Sequence, residues 1–371
     1  AIMEWDIIEK LSKLSDEEIL SIAATVPDFY RLFTAIRTIG QGNSGPMLVG
    51  TLIDSDNFDV IEHSVSQLKR CPYIQSAFEC VLDPDKNRAD FSFSIGRISA
   101  EAAVTLGNPV ADWFGEAEFK GKDRVLRLIT RWMDKKSLLY HSIYAIYFEL
   151  DTSIREKAEI PGLFVRLQSG DKRPEWYETM SLAVLESLDI ELTKEKRIFI
   201  KNYFTALAEA TGYFHLGIML SRDDFPIKFV AEYTELHKAK SILESLGFDM
   251  SRYINEIDWA RLVELCDGFA GLSLDFIDKG GGANWIENRI GLEIQSSSKD
   301  DELIDWFIGM GCCSAEKGKI LRDWKGKVPY RFADSGEEVV ICREISHFKL
   351  VLRRDLPMQA KVYLEYYPYP L

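Results

Sequence analysis

The chain has 371 residues, of which 46% are hydrophobic and 28% are charged, a composition typical of soluble globular proteins. Its formal net charge of −14 argues against binding along a nucleic-acid backbone, which requires clustered Lys and Arg. The longest apolar stretch, 138–150, is too short to cross a bilayer and contains His141 and Glu149, so neither nucleic acid nor a membrane is expected as a partner.

The first 57 residues are predicted to form helices followed by a glycine-rich loop. Asp16 is placed to cap a helix over 17–24, and 29–39 has apolar residues at helical spacing. The run 40–46 contains three glycines and ends in proline, which breaks the helical pattern. We expect 1–57 to precede a single domain over 58–371.

Five pairs of short alternating strands follow, separated by amphipathic helices. The predicted strand pairs are 75–82 with 89–96, 142–150 with 161–168, 213–221 with 226–233, 269–277 with 287–295, and 345–353 with 359–366. The predicted helices are 60–69, 98–106, 122–135, 174–188, 193–210, 235–246, 254–265, 300–310 and 314–324, and a strand-like piece covers 339–342. Repeated units need neighbours to bury their apolar faces, so we predict an α+β fold in which five αββα units form a ten-stranded antiparallel barrel with the helices outside.

The alternation within each strand predicts what the barrel contains. In the last strand Lys361, Tyr363 and Glu365 share one face, and apolar residues occupy the other. Amphipathic helices need an apolar surface to pack on, so the polar face is expected to point into a lumen. The cations expected inside are Arg166, Lys228, Arg289, Lys349 and Lys361. The acids expected inside are Glu149, Glu232, Asp275, Glu293 and Glu365.

This mixture of charges leaves alternatives open. The acids could recognise a cationic acceptor such as an amine or a guanidinium, or they could pair with the cations and fill the barrel with ion pairs. Lys361, for example, could form a salt bridge with Glu293 or Glu365. Two histidines, His215 and His347, also fall on inward faces and could act as a general base or as hydrogen-bonded lining residues.

No metal site is predicted. The six cysteines lack C-x-x-C spacing and have no companion histidine cluster, which indicates reduced thiols rather than a zinc site. The acidic stretch 300–305 has the wrong spacing for an aspartate-rich metal motif and is explained by the dipole of the helix that it begins. No charged-then-apolar leader opens the sequence, so we expect a cytoplasmic protein.

The layout over about 58–367 resembles that of the ABBA (PT-barrel) prenyltransferases, whose α-β-β-α repeats form a ten-stranded barrel around a reaction chamber. Members of this family move a prenyl group from an isoprenoid diphosphate to an aromatic ring or another nucleophile. The segment 76–79 (SAFE) looks like the family's first-strand motif, with Glu79 as its carboxylate, and 361–363 (KVY) has the family's Lys-x-Tyr form. The chain departs from the family's pattern at Asp90, which stands where an arginine is expected.

The resemblance implies a tailoring enzyme whose co-substrate is an isoprenoid diphosphate and whose acceptor is a small aromatic molecule or a peptide side chain. Glu79 and Tyr363 would be catalytic, the five inward cations would bind the diphosphate, and the five inward acids would contact the acceptor. Magnesium is possible but not required in this group. The alternative is a repurposed barrel that binds a peptide or small molecule, or runs a carboxylate-assisted cyclisation, without prenyl transfer.

Overall fold

The structure is a computed structural model that describes residues 29–39, 48–68, 70–115, 119, 121–152, 161–168, 173–207, 213–220, 226–276 and 286–369. The predicted helix over 17–24, its cap Asp16 and the glycine-rich run 40–46 lie outside the described residues. The division of the chain at residue 57 stays a prediction.

Within the described residues, eleven strands form one antiparallel sheet. They are β1 Gln75–Val81, β2 Ala89–Gly96, β3 Ile143–Leu150, β4 Pro161–Gln168, β5 Tyr213–Ile218, β6 Ile227–Glu235, β7 Phe269–Phe276, β8 Ile286–Gln295, β9 Gly326–Arg331, β10 Glu338–Arg353 and β11 Leu356–Tyr369. Each strand from β1 to β7 pairs with the strand that follows it in the chain. Strand β8 then pairs with β10, β10 pairs with β11, and β11 pairs with β1. This circuit closes a ten-stranded barrel and confirms the predicted fold class.

Helices occupy the connections between the strand pairs. The described helices are α1 Phe29–Thr38, α2 Ser55–Ser66, α3 Arg97–Thr105, α4 Lys122–Met133, α5 Leu138–Ser142, α6 Pro174–Ser187, α7 Lys194–Leu207, α8 Leu236–Ser245, α9 Glu256–Leu265, α10 Asp300–Gly309 and α11 Ala315–Arg322. Several begin at a side-chain cap, such as Asn255, whose amide oxygen accepts from the backbone N–H of Asp258. None of these described helices has the length and apolar character needed to cross a membrane.

The apolar faces of the strands pack against the helices. On α7, Tyr203 and Phe204 contact Phe229 of β6 with ring centroids 4.6 and 5.4 Å apart. Phe33 of α1 likewise contacts Phe78 of β1 and Phe91 of β2. The large apolar core therefore lies between the barrel wall and the helices, which leaves the inner face of the wall for polar side chains.

Several elements differ from the sequence-based expectation. The predicted pieces 339–342 and 345–353 are one strand, β10, whose first part pairs with β9 outside the barrel circuit. Strand β9 was not predicted because it contains Pro329, which argues against a strand; β9 is an edge strand, where proline is tolerated. Helix α2 begins at Ser55 rather than residue 60, because Asp54 caps it.

Candidate functional site

The inner faces of the barrel strands enclose a cavity of about 150 Å³. Side chains that face each other on neighbouring strands lie on the same side of a sheet, so the register identifies the inner face. Glu79 of β1 is opposite Asp90 of β2 and Tyr363 of β11, and Lys228 of β6 is opposite Asp275 of β7. The cavity lining and these pairs place the predicted polar residues on the inner face.

Seven of the twelve predicted site residues line the cavity, and the other five lie outside its lining. The residues that line the cavity are Arg166, Lys349, Tyr363, Glu149, Glu232, Glu293 and Glu365. The other five form two groups, one of Glu79 with Lys361 and one of Asp275 with Lys228 and Arg289. The inner face therefore has a lined space and, beside it, pairs of buried charges.

Glu79 is held by two neighbours from β11. The Lys361 Nζ lies 2.5 Å from Glu79 Oε1, and the hydroxyl of Tyr363 also donates to this carboxylate. Burial alone would raise the pKa of Glu79, but the positive charges of Lys361 and then Lys349 outweigh it and hold the pKa well below its usual range. Glu79 is thus an ionised carboxylate with two donors, and the hydrogen-bond partner of Lys361 is neither Glu293 nor Glu365.

Asp275 is shared by two cations. Arg289 donates from Nε to Asp275 Oδ2 at 2.7 Å, and from Nη2 to the same oxygen. The Lys228 Nζ lies 3.6 Å from Asp275 Oδ1, an oxygen that has no hydrogen-bond partner. Burial opposes ionisation of Asp275, but these two cations lower its pKa below the usual range. Asp275 is therefore an ionised carboxylate that lies between two cations of the inner face.

Lys349 lies in the middle of the charged interior. Its Nζ donates to Glu293 Oε1 at 3.2 Å. Burial would lower the pKa of Lys349, but the charges of Glu293, Glu79 and Glu149, in that order, raise it above its usual range. A side chain at Gly291 would come within 3.1 Å of the Lys349 stem, so glycine at this position makes room for the lysine.

A chain of three polar groups crosses β4, β5 and β6. Arg166 donates from Nη2 to Glu232 Oε2 at 3.0 Å, and the Nε2 of His215 contacts the other oxygen of Glu232. Burial would raise the pKa of Glu232, but His215 and then Arg166 lower it to about 2. Arg166 also lies 5.5 Å from the ring centre of Tyr144 and 5.7 Å from that of Tyr213. Glu232 is therefore a fixed carboxylate that orients the imidazole of His215.

Three carboxyl groups cluster where β1, β2 and β3 meet. Glu79, Asp90 and Glu149 each have an oxygen within 4.8 Å of the others. Burial, followed by the charge of Glu79, raises the pKa of Glu149 to about 7. The pKa of Asp90 is also raised, chiefly by burial, although its carboxylate accepts from the backbone N–H of Thr152 at 2.9 Å. Oxygen ligands at this spacing suit a divalent cation such as Mg²⁺, a possibility that the sequence pattern did not reveal.

Aromatic rings form the rest of the cavity wall. His347 stacks on Tyr363 with ring centroids 3.9 Å apart and planes 19° apart. Burial lowers the pKa of His347 to about 4, although Glu293 opposes this shift, so its imidazole is neutral at pH 7. Phe164 lies over Gly217, where a Cβ would come within 2.6 Å of the ring. The wall thus offers π faces beside the charged groups.

Comparison with known proteins bears on the fold. No protein-family model matches the chain, and no curated protein sequence matches it. Among solved structures, 5-dimethylallyl tryptophan synthase from Streptomyces coelicolor, in complex with DMASPP and Trp, superposes with a TM-score of 0.50 at 13% identity, over 91% of this chain and 95% of that chain. The prenyltransferase PriB, in ternary complex with L-tryptophan and dimethylallyl thiolodiphosphate, gives a TM-score of 0.49 at 13% identity, over 93% and 95%. The chain has the barrel fold of the Streptomyces coelicolor synthase.

Proposed function

We propose that this barrel transfers a prenyl group from an isoprenoid diphosphate to an aromatic acceptor, either a small molecule or a peptide side chain. The observation that carries the proposal is the arrangement around Asp275. Arg289 donates to this carboxylate, and the ammonium of Lys228 lies 3.6 Å from it but donates no hydrogen bond to any described residue. An ammonium in this state is available to a phosphate oxygen.

The chemistry follows from the charge that a diphosphate develops as it leaves. The C–O bond breaks with its electron pair on the diphosphate, and fixed cations in a water-poor chamber stabilise that charge. Lys228, Arg289 and Lys349 supply the core of this site, and Lys361 and Arg166 extend it. The three clustered carboxyls, Glu79, Asp90 and Glu149, would hold a magnesium ion if one takes part, and its charge would neutralise phosphate oxygens.

The aromatic wall serves the other half of the reaction. The stacked pair of Tyr363 and His347 presents a π face that stabilises an allylic cation and keeps water from it. Glu79 fixes Tyr363 through the hydroxyl, which makes Glu79 a positioning residue in this scheme. The acids that line the cavity contact the acceptor: Glu149, Glu232, Glu293 and Glu365.

The proposal is tested by calorimetric titration with dimethylallyl diphosphate and geranyl diphosphate. A charge-assisted hydrogen bond contributes about 1.5–3 kcal/mol, so Lys228→Met should weaken donor binding about 10- to 100-fold. Lys238→Met is the matched control, since Lys238 lies on α8 with 54% of its side chain exposed. Absence of donor binding by the wild-type protein, or equal binding by both variants, contradicts the proposal.

A second candidate is binding of a cationic ligand without prenyl transfer. It is favoured by Glu149, which lines the cavity and has no hydrogen-bond or ion-pair partner among the described residues. An ammonium group would satisfy that carboxyl. Tryptamine binding that is lost in Glu149→Gln, together with no binding of either diphosphate, would select this function over the first.

A further inference from the structure

We propose that His215, held in place by Glu232, accepts the proton that the aromatic acceptor loses after it is prenylated. The inference rests on the proposed function and deepens it, because the resemblance to the barrel prenyltransferases points to Glu79 for this task. Glu79, His215 and His347 differ in the contacts that decide whether each can accept a proton.

Glu79 is poorly placed to accept a proton. Its carboxylate is only 3% exposed and is bonded to both Lys361 and Tyr363. A proton that it accepts would compete with these two donors for the negative charge of the carboxylate. Its lowered pKa points the same way, since a carboxylate stabilised by two cations is a weak base.

His215 has the geometry of an oriented base. An ionised carboxylate can only accept hydrogen bonds, so the Nε2 of His215 must carry the hydrogen that points at Glu232. Arg166 holds the other oxygen of Glu232 at 3.0 Å and fixes the carboxylate. The remaining ring nitrogen, Nδ1, has no hydrogen-bond partner among the described residues and keeps its lone pair. A base oriented by a fixed third group is the arrangement that activates histidine in many enzymes.

The surroundings of His215 fit this task. The imidazole lies on the cavity wall, with its centre 5.4 Å from the ring of Tyr147. The charged or titratable groups that face it are Arg166 from β4, Glu232 from β6, Tyr147 from β3 and, by its electrostatic effect, Glu293 from β8. Two carboxylates, Glu232 and Glu293, thus act on this side of the cavity.

The second lining histidine does not compete. His347 is stacked against Tyr363, and its Nδ1 lies 3.1 Å from the hydroxyl of Ser346. With its pKa lowered to about 4, it does not hold a proton near neutral pH. His347 therefore acts as part of the aromatic wall.

In the proposed reaction the donor C–O bond breaks and its electron pair leaves with the diphosphate, while a π pair of the acceptor ring forms the new C–C bond. The ring carbon then gives its proton to Nδ1 of His215, and the C–H electron pair restores the aromatic system. The imidazolium returns the proton to solvent through the cavity.

The test uses the intact protein with dimethylallyl diphosphate as donor and L-tryptophan, L-tyrosine and indole as acceptors. Prenylated product, released diphosphate and dimethylallyl alcohol are measured separately. General base catalysis contributes roughly 10²–10⁴-fold, so His215→Asn should lower product formation about 100-fold or more while diphosphate release continues and the alcohol accumulates. The wild-type kcat/KM should fall on the acidic side of its pH profile, and this limb should be absent in His215→Asn.

Two further variants separate catalysis from folding. Glu232→Gln keeps the imidazole but removes its fixed acceptor, and we expect an intermediate loss of product with a shifted acidic limb. His237→Asn is the matched control, because His237 is exposed on α8. Unchanged product formation in His215→Asn would overturn the assignment of the base. If the wild-type protein releases no diphosphate with any acceptor, the proposed function itself fails and the assignment fails with it.

Discussion

The two faces of β6 show how one strand serves two purposes. Phe229 points outward, is fully buried and contacts the aromatic rings of α7. Its neighbour Lys228 points inward, retains 14% exposure of its side chain and lies near Asp275. The outer face is built for packing and the inner face for charge. Substitutions outside should therefore change the stability of the barrel, and substitutions inside should change what it binds.

The largest expected effect is on the outer face. Phe229→Ala removes a ring that packs against Tyr203 and Phe204, and such truncations cost about 3–5 kcal/mol because a cavity remains. Urea denaturation followed by circular dichroism measures the loss. Phe269→Ala is the control, since Phe269 is 49% exposed and should change stability by less than about 1 kcal/mol. Equal losses in both variants would remove the distinction between the faces.

A smaller effect is expected when an inner ion pair is broken. Lys361→Met leaves the buried Glu79 with Tyr363 as its remaining partner, and an incompletely satisfied buried group costs about 1–3 kcal/mol. The double variant Lys361→Met/Glu79→Gln should recover most of this loss, because the stranded charge is then removed. Urea midpoints of the wild type, both single variants and the double variant complete the cycle. A double variant as unstable as Lys361→Met would show that the ion pair does not control stability here.

The difference between the outer and inner faces also explains which features of the structure could be predicted from the sequence. Alternation in 361–366 was enough to assign the faces of β11, because a period of two is a property of the strand itself. The partner of Lys361 was not predictable, since Glu79 reaches it through the pairing of β1 with β11 across 282 positions of sequence. Strand β9 was missed because Pro329 is acceptable only at an edge, and edges are known only once the sheet is closed.

The candidate site was predictable as a set of residues but not as a set of contacts. Eleven of the twelve residues were assigned to the inner face by strand parity, and Glu79 came from the resemblance of 76–79 to a family motif. The chain of Arg166, Glu232 and His215 depends on the register of three strands and on side-chain rotamers, neither of which leaves a pattern in the sequence. Asp90 could have been found by extending the same parity count to β2, which places it opposite Glu79.

The smallest effect distinguishes two carboxyls within the inner face. The pKa of Glu149 is raised to about 7 in the folded chain, against about 4.3 when unfolded, so folding favours its protonated form. This contribution is complete below about pH 4 and is lost as the pH rises through 7. Glu149→Gln should therefore leave stability unchanged at pH 4 and raise it at pH 8. Urea denaturation at both pH values, in buffer containing a chelator, measures the difference.

Substitution of Glu232 is expected to change the stability of the barrel in the opposite direction. Its pKa is lowered to about 2, so its contribution to stability is present above about pH 4.3 and is lost as the pH falls toward 2. Glu232→Gln should destabilise the barrel at pH 8, because Arg166 and His215 lose their shared carboxylate. Two acids that line the same cavity would then respond to the same substitution in opposite directions. If Glu149→Gln is also destabilising at pH 8, Glu149 has a stabilising partner and is not the free carboxyl on which the cationic-ligand function depends.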